Sequence, residues 1–412
     1  MKLGLHAYSL MLAGGVRTDY QPVGRGNLPP EQLLDKAEHY KFTAVQFAQQ
    51  NIPGFPDWDM VTLVNLRHQA ESLGLTLHLS TNVLRGEHLA TMIRHASILD
   101  APQVTVGLSH LKGNVQQRQT ILENLLHELD VAIKTAERYK VMLAIENGRH
   151  TASADLAAFV HAAQSEWVGV CFDMGNPLTV PENPVESAKI LAPYCKSVHL
   201  KDWQIFRTTE GAMLVNCPIG EGVLELADIL PELKLDKSDA VVFLQTVAER
   251  ILVPVLDDTF LQQYPRITAR SLAGLLCRGI KLYDETSMRF PHERKDPEGD
   301  ILEWEEKRLR RSLKQAQKLM GMDSLSLLAD EVADVQETVG SKAPRAPSKR
   351  KASEANTPQQ KSERLKRNLK QAQKPEESES LTLPNTISER ARNLATSKGK
   401  GKSTKTRIRL SD

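Results

Sequence analysis

The chain has 412 residues, of which 41% are hydrophobic and 25% are charged, and its formal net charge is +2. These fractions are typical of a soluble globular protein, and the sequence has no run of about 18 apolar residues, which excludes a membrane-spanning helix. The four cysteines lack CxxC spacing and favour reduced thiols in a cytosolic protein over a disulfide framework or a zinc knuckle.

Strand-like and helix-like segments alternate over nearly 290 residues. The segment from Met1 to Tyr8 is too poor in apolar residues for a secretory signal and predicts a first strand. The strand-like runs lie at residues 3–6, 44–47, 75–79, 104–108, 142–145, 168–172, 197–200 and 241–244. The amphipathic helical segments lie at residues 29–40, 59–73, 87–99, 115–139, 154–163, 184–191, 224–233 and 258–282.

Eight strand–helix pairs of this size predict an α/β protein with a (β/α)8 TIM barrel, which needs about 250 residues. An open doubly wound sheet is the rival fold. That fold requires a glycine-rich phosphate turn after the first strand, and residues 7–15 do not contain one. We therefore predict a barrel over residues 1–285.

Two further segments follow the predicted barrel. Residues 286–322 form a charged helical extension with a helix at 301–320, and its basic run 307–318 recurs almost unchanged at 363–374. From residue 323 to residue 412, Pro, Ser, Lys and Glu dominate, a composition that cannot bury a core. Residues 341–412 hold 19 Lys and Arg against 7 Asp and Glu, so we predict a disordered basic tail behind an acidic body.

The last four predicted strands each end in a side chain that can bind a cation. These are Glu146, Asp173, His199 and Gln245. In a TIM barrel the carboxyl ends of the strands face one opening, so we expect the four side chains to converge. Hard oxygen ligands with one imidazole predict a single divalent metal ion, Mn²⁺, Mg²⁺, Co²⁺ or Zn²⁺.

The residues around these strand ends resemble the sugar phosphate isomerase/epimerase family of xylose isomerase-like barrels. The similarity covers about residues 1–285 and rests on Ala-Ile-Glu146-Asn147, Cys-Phe-Asp173-Met-Gly-Asn176, Val-His199-Leu-Lys201-Asp202 and Pro218-Ile-Gly-Glu-Gly222. Tagatose 3-epimerase, hydroxypyruvate isomerase and inosose dehydratase belong to this group. The resemblance implies that Glu146, Asp173 and His199 are metal ligands.

Two positions depart from the pattern that the resemblance implies. Gln245 stands where the family has its second ligating Glu, and Asn176 stands where many relatives have His. A glutamine can bind a metal through its carbonyl oxygen, but it cannot act as a base. Two-base epimerisation is therefore disfavoured, whereas one-base isomerisation, dehydration or decarboxylation stays open. Glu249 would replace the missing base only if its loop folds back over the site.

The chemistry predicted for this site has Glu146 as metal ligand and general base. Lys201 would protonate or hold a developing oxyanion, although a salt bridge to Asp202 or Glu146 is an equally good interpretation. Asp202 is expected to orient His199 from behind. Together these roles predict a metal-dependent enzyme that acts on a sugar or sugar acid through an enediolate-type intermediate.

Other polar side chains are candidates for substrate binding. We assign this role to His6, Gln46, Asn176, Asp202 and Trp203. For His6 a buried core histidine is the plainer interpretation, and for Trp203 simple packing is an alternative.

A multi-zinc nuclease of the endonuclease-IV type is a further alternative, because His78 and His110 also lie on the predicted barrel. That site requires more histidines, including one near Asp173, and Asn176 does not supply it.

An alternative from another class is a weakened barrel that serves as a scaffold. The basic runs at 349–351 and 397–402 resemble nuclear-localisation or nucleic-acid-binding segments, but they lack interleaved aromatic residues. We expect a small sugar or sugar-acid substrate, no membrane partner, and no nucleic-acid partner beyond weak contacts by the tail. The expected location is cytoplasmic, and the basic tail leaves nuclear entry open. A homo-oligomer also stays open.

Overall fold

The structure is a computed structural model that describes residues 1–14, 28–49, 58–108, 115–235, 240–279 and 281–322. Its strands are β1 (Lys2–His6), β2 (Ala44–Ala48), β3 (Thr76–Thr81), β4 (Gln103–Gly107), β5 (Met142–Glu146), β6 (Val168–Asp173), β7 (Cys195–Leu200), β8 (Asp202–Arg207), β9 (Ala212–Cys217), β10 (Val241–Leu244), β11 (Arg250–Val253) and β12 (Lys281–Leu282). Its helices are α1 (Pro30–His39), α2 (Met60–Ser72), α3 (Gly86–Ile98), α4 (Val115–Tyr139), α5 (Ser153–Ala162), α6 (Pro184–Leu191), α7 (Leu226–Glu232), α8 (Asp258–Leu261), α9 (Ala269–Arg278), α10 (Pro291–Arg294) and α11 (Glu298–Leu319). None of these helices is long and apolar enough to span a bilayer.

Eight of the described strands close into a parallel barrel in the order β1-β10-β7-β6-β5-β4-β3-β2. This arrangement confirms the predicted (β/α)8 barrel and excludes the open sheet, because a closed ring has no edge strands. Strands β2, β4 and β6 are buried along their whole length, which explains why they form continuous apolar runs in the sequence.

Local capping signals define several helix ends. The Asp59 side chain accepts a hydrogen bond from the Thr62 N–H at 2.7 Å and begins α2. Gly74 follows the same helix with φ +68°, a left-handed conformation that glycine adopts without steric cost. Asn183 caps α6, whose first residue is Pro184. The observed bounds of α2 and α6 accordingly lie within one residue of the predicted ones.

A second sheet of four strands, in the order β11-β9-β8-β12, was not predicted. Strands β8 and β9 form an antiparallel hairpin that follows β7 directly, and β11 follows β10 and pairs with β9. We call these four strands the accessory sheet. The segment after the last barrel strand therefore continues as a strand instead of entering a helix.

The single helix predicted at residues 258–282 is wrong. The structure has two shorter helices, α8 and α9, followed by β12. Pro265 lies between the two helices, and a proline inside a helix removes one backbone donor and clashes with the preceding turn.

Helix α11 coincides closely with the helix predicted at 301–320, and one face of it is buried in the same apolar core as the barrel. Leu309, Leu313 and Ala316 are at most 1% exposed on that face. Burying each leucine contributes about 1.5–3 kcal/mol of transfer free energy. The second copy of its basic run, at 363–374, and the predicted tail lie outside the described residues. The proposed boundaries at 285 and 322 stay predictions.

Candidate metal centre

Three of the predicted ligands meet at the carboxyl ends of neighbouring barrel strands. Glu146 ends β5, Asp173 ends β6 and His199 lies on β7. Each offers one ligand atom, and the three atoms lie within 4.8 Å of one another. The pairing of Asp173 with His199 across β6 and β7 produces this arrangement, because residues in register point to the same face.

Gln245, the fourth predicted ligand, is buried directly after β10. Its Nε2 lies 3.5 Å from His199 Nδ1. Its Oε1 is buried and has no hydrogen-bond partner in the described structure. A buried amide oxygen without a partner is costly, and coordination of a cation would remove that cost. The oxygen-rich cluster with one imidazole therefore fits a divalent ion.

The imidazole of His199 is fixed from behind by Gln46. His199 Nε2 lies 2.7 Å from Gln46 Oε1 and donates to it, and Nδ1 faces Glu146 Oε1 at 3.3 Å. Gln46 Nε2 donates to Thr105 Oγ1 at 2.7 Å. Both ends of the Gln46 amide are thus engaged, which gives this residue a positioning role beneath the site. Its predicted contact with a sugar hydroxyl stays a prediction.

Asp173 is held by backbone and side-chain partners. Its Oδ1 accepts from the N–H groups of Gly175 at 2.8 Å and Asn176 at 3.1 Å. Its Oδ2 lies 3.0 Å from Lys201 Nζ. Asn176 also donates to Glu146 Oε1 at 3.4 Å, so this departure from the family pattern holds the carboxylate of the candidate base.

Lys201 pairs with Asp173, and its second partner is Glu249. The alternative prediction of a Lys201 salt bridge to Asp202 or Glu146 is therefore wrong in its partners. Glu249 Oε1 lies 3.5 Å from Lys201 Nζ, and Arg149 donates to the other oxygen of the same carboxylate. The loop after β10 does fold back over the site, which the sequence alone did not indicate.

Charged neighbours keep Glu146, Glu249 and Lys201 ionised. Burial by itself would raise the pKa of Glu146 and of Glu249, but the nearby cations outweigh burial and lower both pKa values. Burial disfavours charge on Lys201, yet Asp173 and Glu249 raise its pKa above the usual value. The site therefore presents anionic carboxylates beside a protonated lysine.

Asp202 anchors a loop of the accessory sheet. Its carboxylate accepts hydrogen bonds from four backbone N–H groups, those of Trp203, Gly220, Gly222 and Leu224. Gln46, and not Asp202, therefore holds the second nitrogen of His199. A Cβ at Gly222 would lie 2.0 Å from Asp202 Oδ1, so only glycine fits this position. The Pro218–Gly222 motif is thus a loop tied to Asp202.

The other predicted substrate contacts lie within the packed interior. Trp203 has no exposed surface and belongs to an apolar cluster with Leu178 and Ile205. His6 is 1% exposed, and its Nδ1 accepts from the Tyr8 N–H at 3.0 Å. Burial and the neighbouring His199 lower the pKa of His6, so this imidazole is neutral. The substrate roles of Trp203 and His6 stay predictions.

The nuclease alternative gains no support from the described residues. His78 packs its ring against Phe243 inside the barrel, with centroids 4.9 Å apart, and burial lowers its pKa to about 3. His110 lies outside the described residues. Sequence reasoning also missed Arg149 and Tyr8. The pKa of Tyr8 is raised by burial and by the charge of Glu146.

The chain belongs to the xylose isomerase-like TIM barrel family, whose family model matches residues 34–255. It is 28% identical over 165 residues to a 3-oxo-isoapionate decarboxylase of Pectobacterium atrosepticum, a match that covers 40% of this chain and 58% of that protein. It is 23% identical over 235 residues to the uncharacterised protein YihM of Escherichia coli, covering 57% and 68% of the two chains.

Two solved structures match this chain over nearly the whole of their own length. One is a xylose isomerase domain protein from Planctomyces limnophilus, with TM-score 0.47, 15% identity, and coverage of 67% of this chain and 98% of that chain. The other is D-psicose 3-epimerase from Clostridium cellulolyticum H10 with D-tagatose, with TM-score 0.46, 12% identity, and coverage of 67% and 96%.

Proposed function

We propose that this protein is a divalent-metal-dependent enzyme that acts on a sugar or sugar acid through an enediolate-type intermediate. The observation that carries the proposal is the cluster of Glu146, Asp173 and His199 beside the unpartnered oxygen of Gln245. A divalent ion held there supplies a Lewis acid that stabilises negative charge on a substrate oxygen. The identity of the metal stays a prediction.

Glu146 is the proposed general base. The neighbouring cations keep its carboxylate anionic, and the Asn176 side chain donates to Oε1 at 3.4 Å. A base must be deprotonated and positioned before it can take a proton from carbon. Both conditions are met by contacts within this chain.

Lys201 is the proposed electrophilic partner. Its side chain is 4% exposed, and its ammonium pairs with both Asp173 and Glu249. A preorganised cation in a buried site stabilises charge that develops on a substrate oxygen. Gln245 cannot accept a proton, and both carboxylate oxygens of Glu249 are engaged by Lys201 and Arg149. The proposed chemistry therefore uses one carboxylate base and not an opposed pair.

Decarboxylation of a sugar acid is the second candidate reaction. The similarity to the 3-oxo-isoapionate decarboxylase, of which this chain matches 58%, supports it. Loss of carbon dioxide from an oxo acid needs charge stabilisation at the carbonyl oxygen and one proton delivered to carbon, and it needs no second base. Gln245 is compatible with that requirement.

Metal analysis tests the site, and deuterium exchange tests the chemistry. The purified chain should contain about one equivalent of divalent metal after loading with Mn²⁺, and His199→Ala should contain far less, because it lacks one ligand. The unaltered chain should exchange deuterium next to the carbonyl of a ketose or oxo-acid sugar, or release carbon dioxide from the latter. Absence of both metal and turnover would contradict the proposal and favour the scaffold alternative.

A further inference from the structure

Buried polar side chains of helix α11 form hydrogen bonds with loops at the carboxyl end of the barrel strands, where the candidate site lies. The Glu305 carboxylate accepts from the N–H of Leu12 at 2.7 Å and of Ala13 at 2.9 Å, in the loop after β1. Ser312 Oγ accepts from the Ile219 N–H at 3.1 Å, in the loop anchored by Asp202. Apolar packing alone would not require these polar contacts, which connect the helix to particular loop backbones.

Arg308 makes the most extensive of these contacts. Its Nη2 donates to Asn216 Oδ1 at 2.7 Å, and both terminal nitrogens lie 3.3 Å from the Asn216 carbonyl oxygen. Its Nη2 also reaches the Val247 carbonyl oxygen at 3.4 Å. The guanidinium packs over the Trp304 ring at 4.6 Å, and the residue is 7% exposed. A buried, stacked and multiply bonded arginine has a fixed geometry.

The two residues that Arg308 holds are bonded in turn to the segment that carries Glu249. Asn216 Oδ1 accepts from the Val247 N–H at 2.9 Å, and the Asn216 N–H donates to the Glu249 carbonyl oxygen at 3.0 Å. Strand β11 begins at the next residue and pairs with β9. The backbone of Glu249 is therefore hydrogen-bonded to Asn216, one of the two residues that Arg308 contacts.

The Glu249 side chain completes the connection to the candidate metal centre. Its carboxylate shares the Lys201 ammonium with Asp173, at 3.5 and 3.0 Å. If the Glu249 carboxylate moved away, Lys201 would pair with Asp173 alone. Asp173 is also a candidate metal ligand, so the lysine would then compete more strongly with a metal ion. The position of Glu249 thus controls how strongly Lys201 competes with a metal ion for Asp173.

We propose that Arg308 of α11 is a positioning residue for this site, which acts through Asn216 and Val247 to hold Glu249 against Lys201. The structural part of this inference stands without a metal. Its effect on metal affinity rests on the proposed function. Helix α11 is accordingly part of the site's architecture and not only an extension of the barrel.

Hydrogen–deuterium exchange of the chain without added metal tests the structural part. Arg308→Met removes every donor while keeping an unbranched apolar side chain. Peptides over residues 212–217 and 245–253 should then exchange about tenfold faster, as expected when hydrogen bonds to a charged group are lost, while β5 peptides keep their rate. Arg311→Met is the matched control, because Arg311 is 61% exposed and forms a surface ion pair with Glu221. Equal exchange in the Arg308 and Arg311 variants would overturn the inference.

Mn²⁺ titration tests the functional part. Arg308→Met should weaken Mn²⁺ binding about tenfold, and Arg311→Met should change it less than about twofold. Arg308→Lys, which keeps the charge and one donor group, should give an intermediate affinity and replaces the methionine variant if that variant does not fold. In a Glu249→Gln background, Arg308→Lys should have no further effect on the affinity.

The outcomes are distinguishable. Additive effects of Arg308→Lys and Glu249→Gln would overturn the route through Glu249. Unchanged Mn²⁺ affinity in a folded Arg308→Met variant would overturn the functional part. If the unaltered chain binds no Mn²⁺, the proposed function is contradicted, and the exchange experiment alone decides the positioning role of Arg308.

Discussion

The barrel and the accessory sheet contribute to the same site by different means. Barrel residues such as Glu146 and Asp173 reach the site because parallel strands end together at one opening. Glu249 reaches it because β11 turns back and pairs with β9, and because helix α11 supports that pairing. The first contribution follows from the fold class, whereas the second depends on contacts between segments far apart in sequence. Substituting one carboxylate from the barrel strands and one from the segment next to the accessory sheet therefore measures the two contributions separately.

The largest effect is expected from Glu146→Gln in the barrel. The amide keeps one ligand oxygen but cannot accept a proton, so substrate deuterium exchange should fall about 10²–10⁴-fold with Mn²⁺ still bound. Glu182→Gln is the control, since Glu182 is a carboxylate bonded to Ser153 and Ser187 outside the ligand cluster. Exchange in Glu146→Gln as fast as in the unaltered chain would show that Glu146 is not the base.

A smaller effect is expected from Glu249→Gln on the loop that leads into β11 of the accessory sheet. The change removes the charge that Lys201 and Arg149 share, and a hydrogen bond to a charged group contributes about 1.5–3 kcal/mol. Turnover should therefore fall about 10–100-fold, less than for Glu146→Gln. Glu210→Gln, on the exposed turn between β8 and β9, should leave the rate unchanged. If Glu249→Gln were as inactive as Glu146→Gln, the assignment of Glu146 as the single base would be contradicted.

A pH-dependent effect on stability is expected from Glu305 in helix α11. Burial raises the pKa of Glu305 to about 8, although the Leu12 and Ala13 N–H groups and Arg308 oppose that shift. The folded state thus keeps a proton that the unfolded chain releases near pH 4.5, so this contribution to stability is lost as pH rises through about 8. Between those values the unfolding free energy should fall by up to about 1.4 kcal/mol per pH unit.

Chemical denaturation of the unaltered chain and of Glu305→Gln at pH 5, 6.5 and 8 measures this effect. The glutamine cannot ionise, so the difference between the two proteins should shift in its favour as pH rises. Parallel pH profiles would contradict a raised pKa for Glu305. Arg308 and Glu306 are the charged neighbours that enter this balance.

The smallest effect is expected from the segment after α11. Removing residues 323–412 should change Tm by less than about 2 °C, because their composition cannot bury a core. Removing residues 298–412 instead deletes α11 with its buried Leu309 and Leu313, and a large loss of Tm is expected. A large loss on the shorter truncation would show that the tail stabilises the body.

The strand ends illustrate what could be predicted from the sequence. Glu146, Asp173 and His199 each follow or interrupt a short apolar run, so their convergence followed from recognising the barrel. The helix predicted at 258–282 failed because its apolar pattern was given more weight than Pro265. The accessory sheet was missed because strands β8, β9 and β11 have no counterpart in the regular alternation of strand and helix.

Roles assigned to single polar residues were harder to predict. Gln46 and Asp202 were both expected near the substrate, yet one holds His199 and the other holds four loop N–H groups. A side chain with donors and acceptors can satisfy them in many ways, and the local sequence does not say which partner is near. The tertiary structure decides which partner is near, and a buried polar group must find one.

By itself the sequence determined the barrel, its charged helix and the three candidate ligands, because hydrophobic periodicity and strand ends are local properties of the chain. Only the tertiary structure decided that Glu249 lies against Lys201 and that Arg308 donates to the segment that carries Glu249. Those contacts join Lys201 directly after β7, Glu249 on the loop after β10 and Arg308 on α11, which are separated by about 50 residues or more. Pairings of this kind arise from the closure of the barrel and the packing of α11, and no local pattern encodes them.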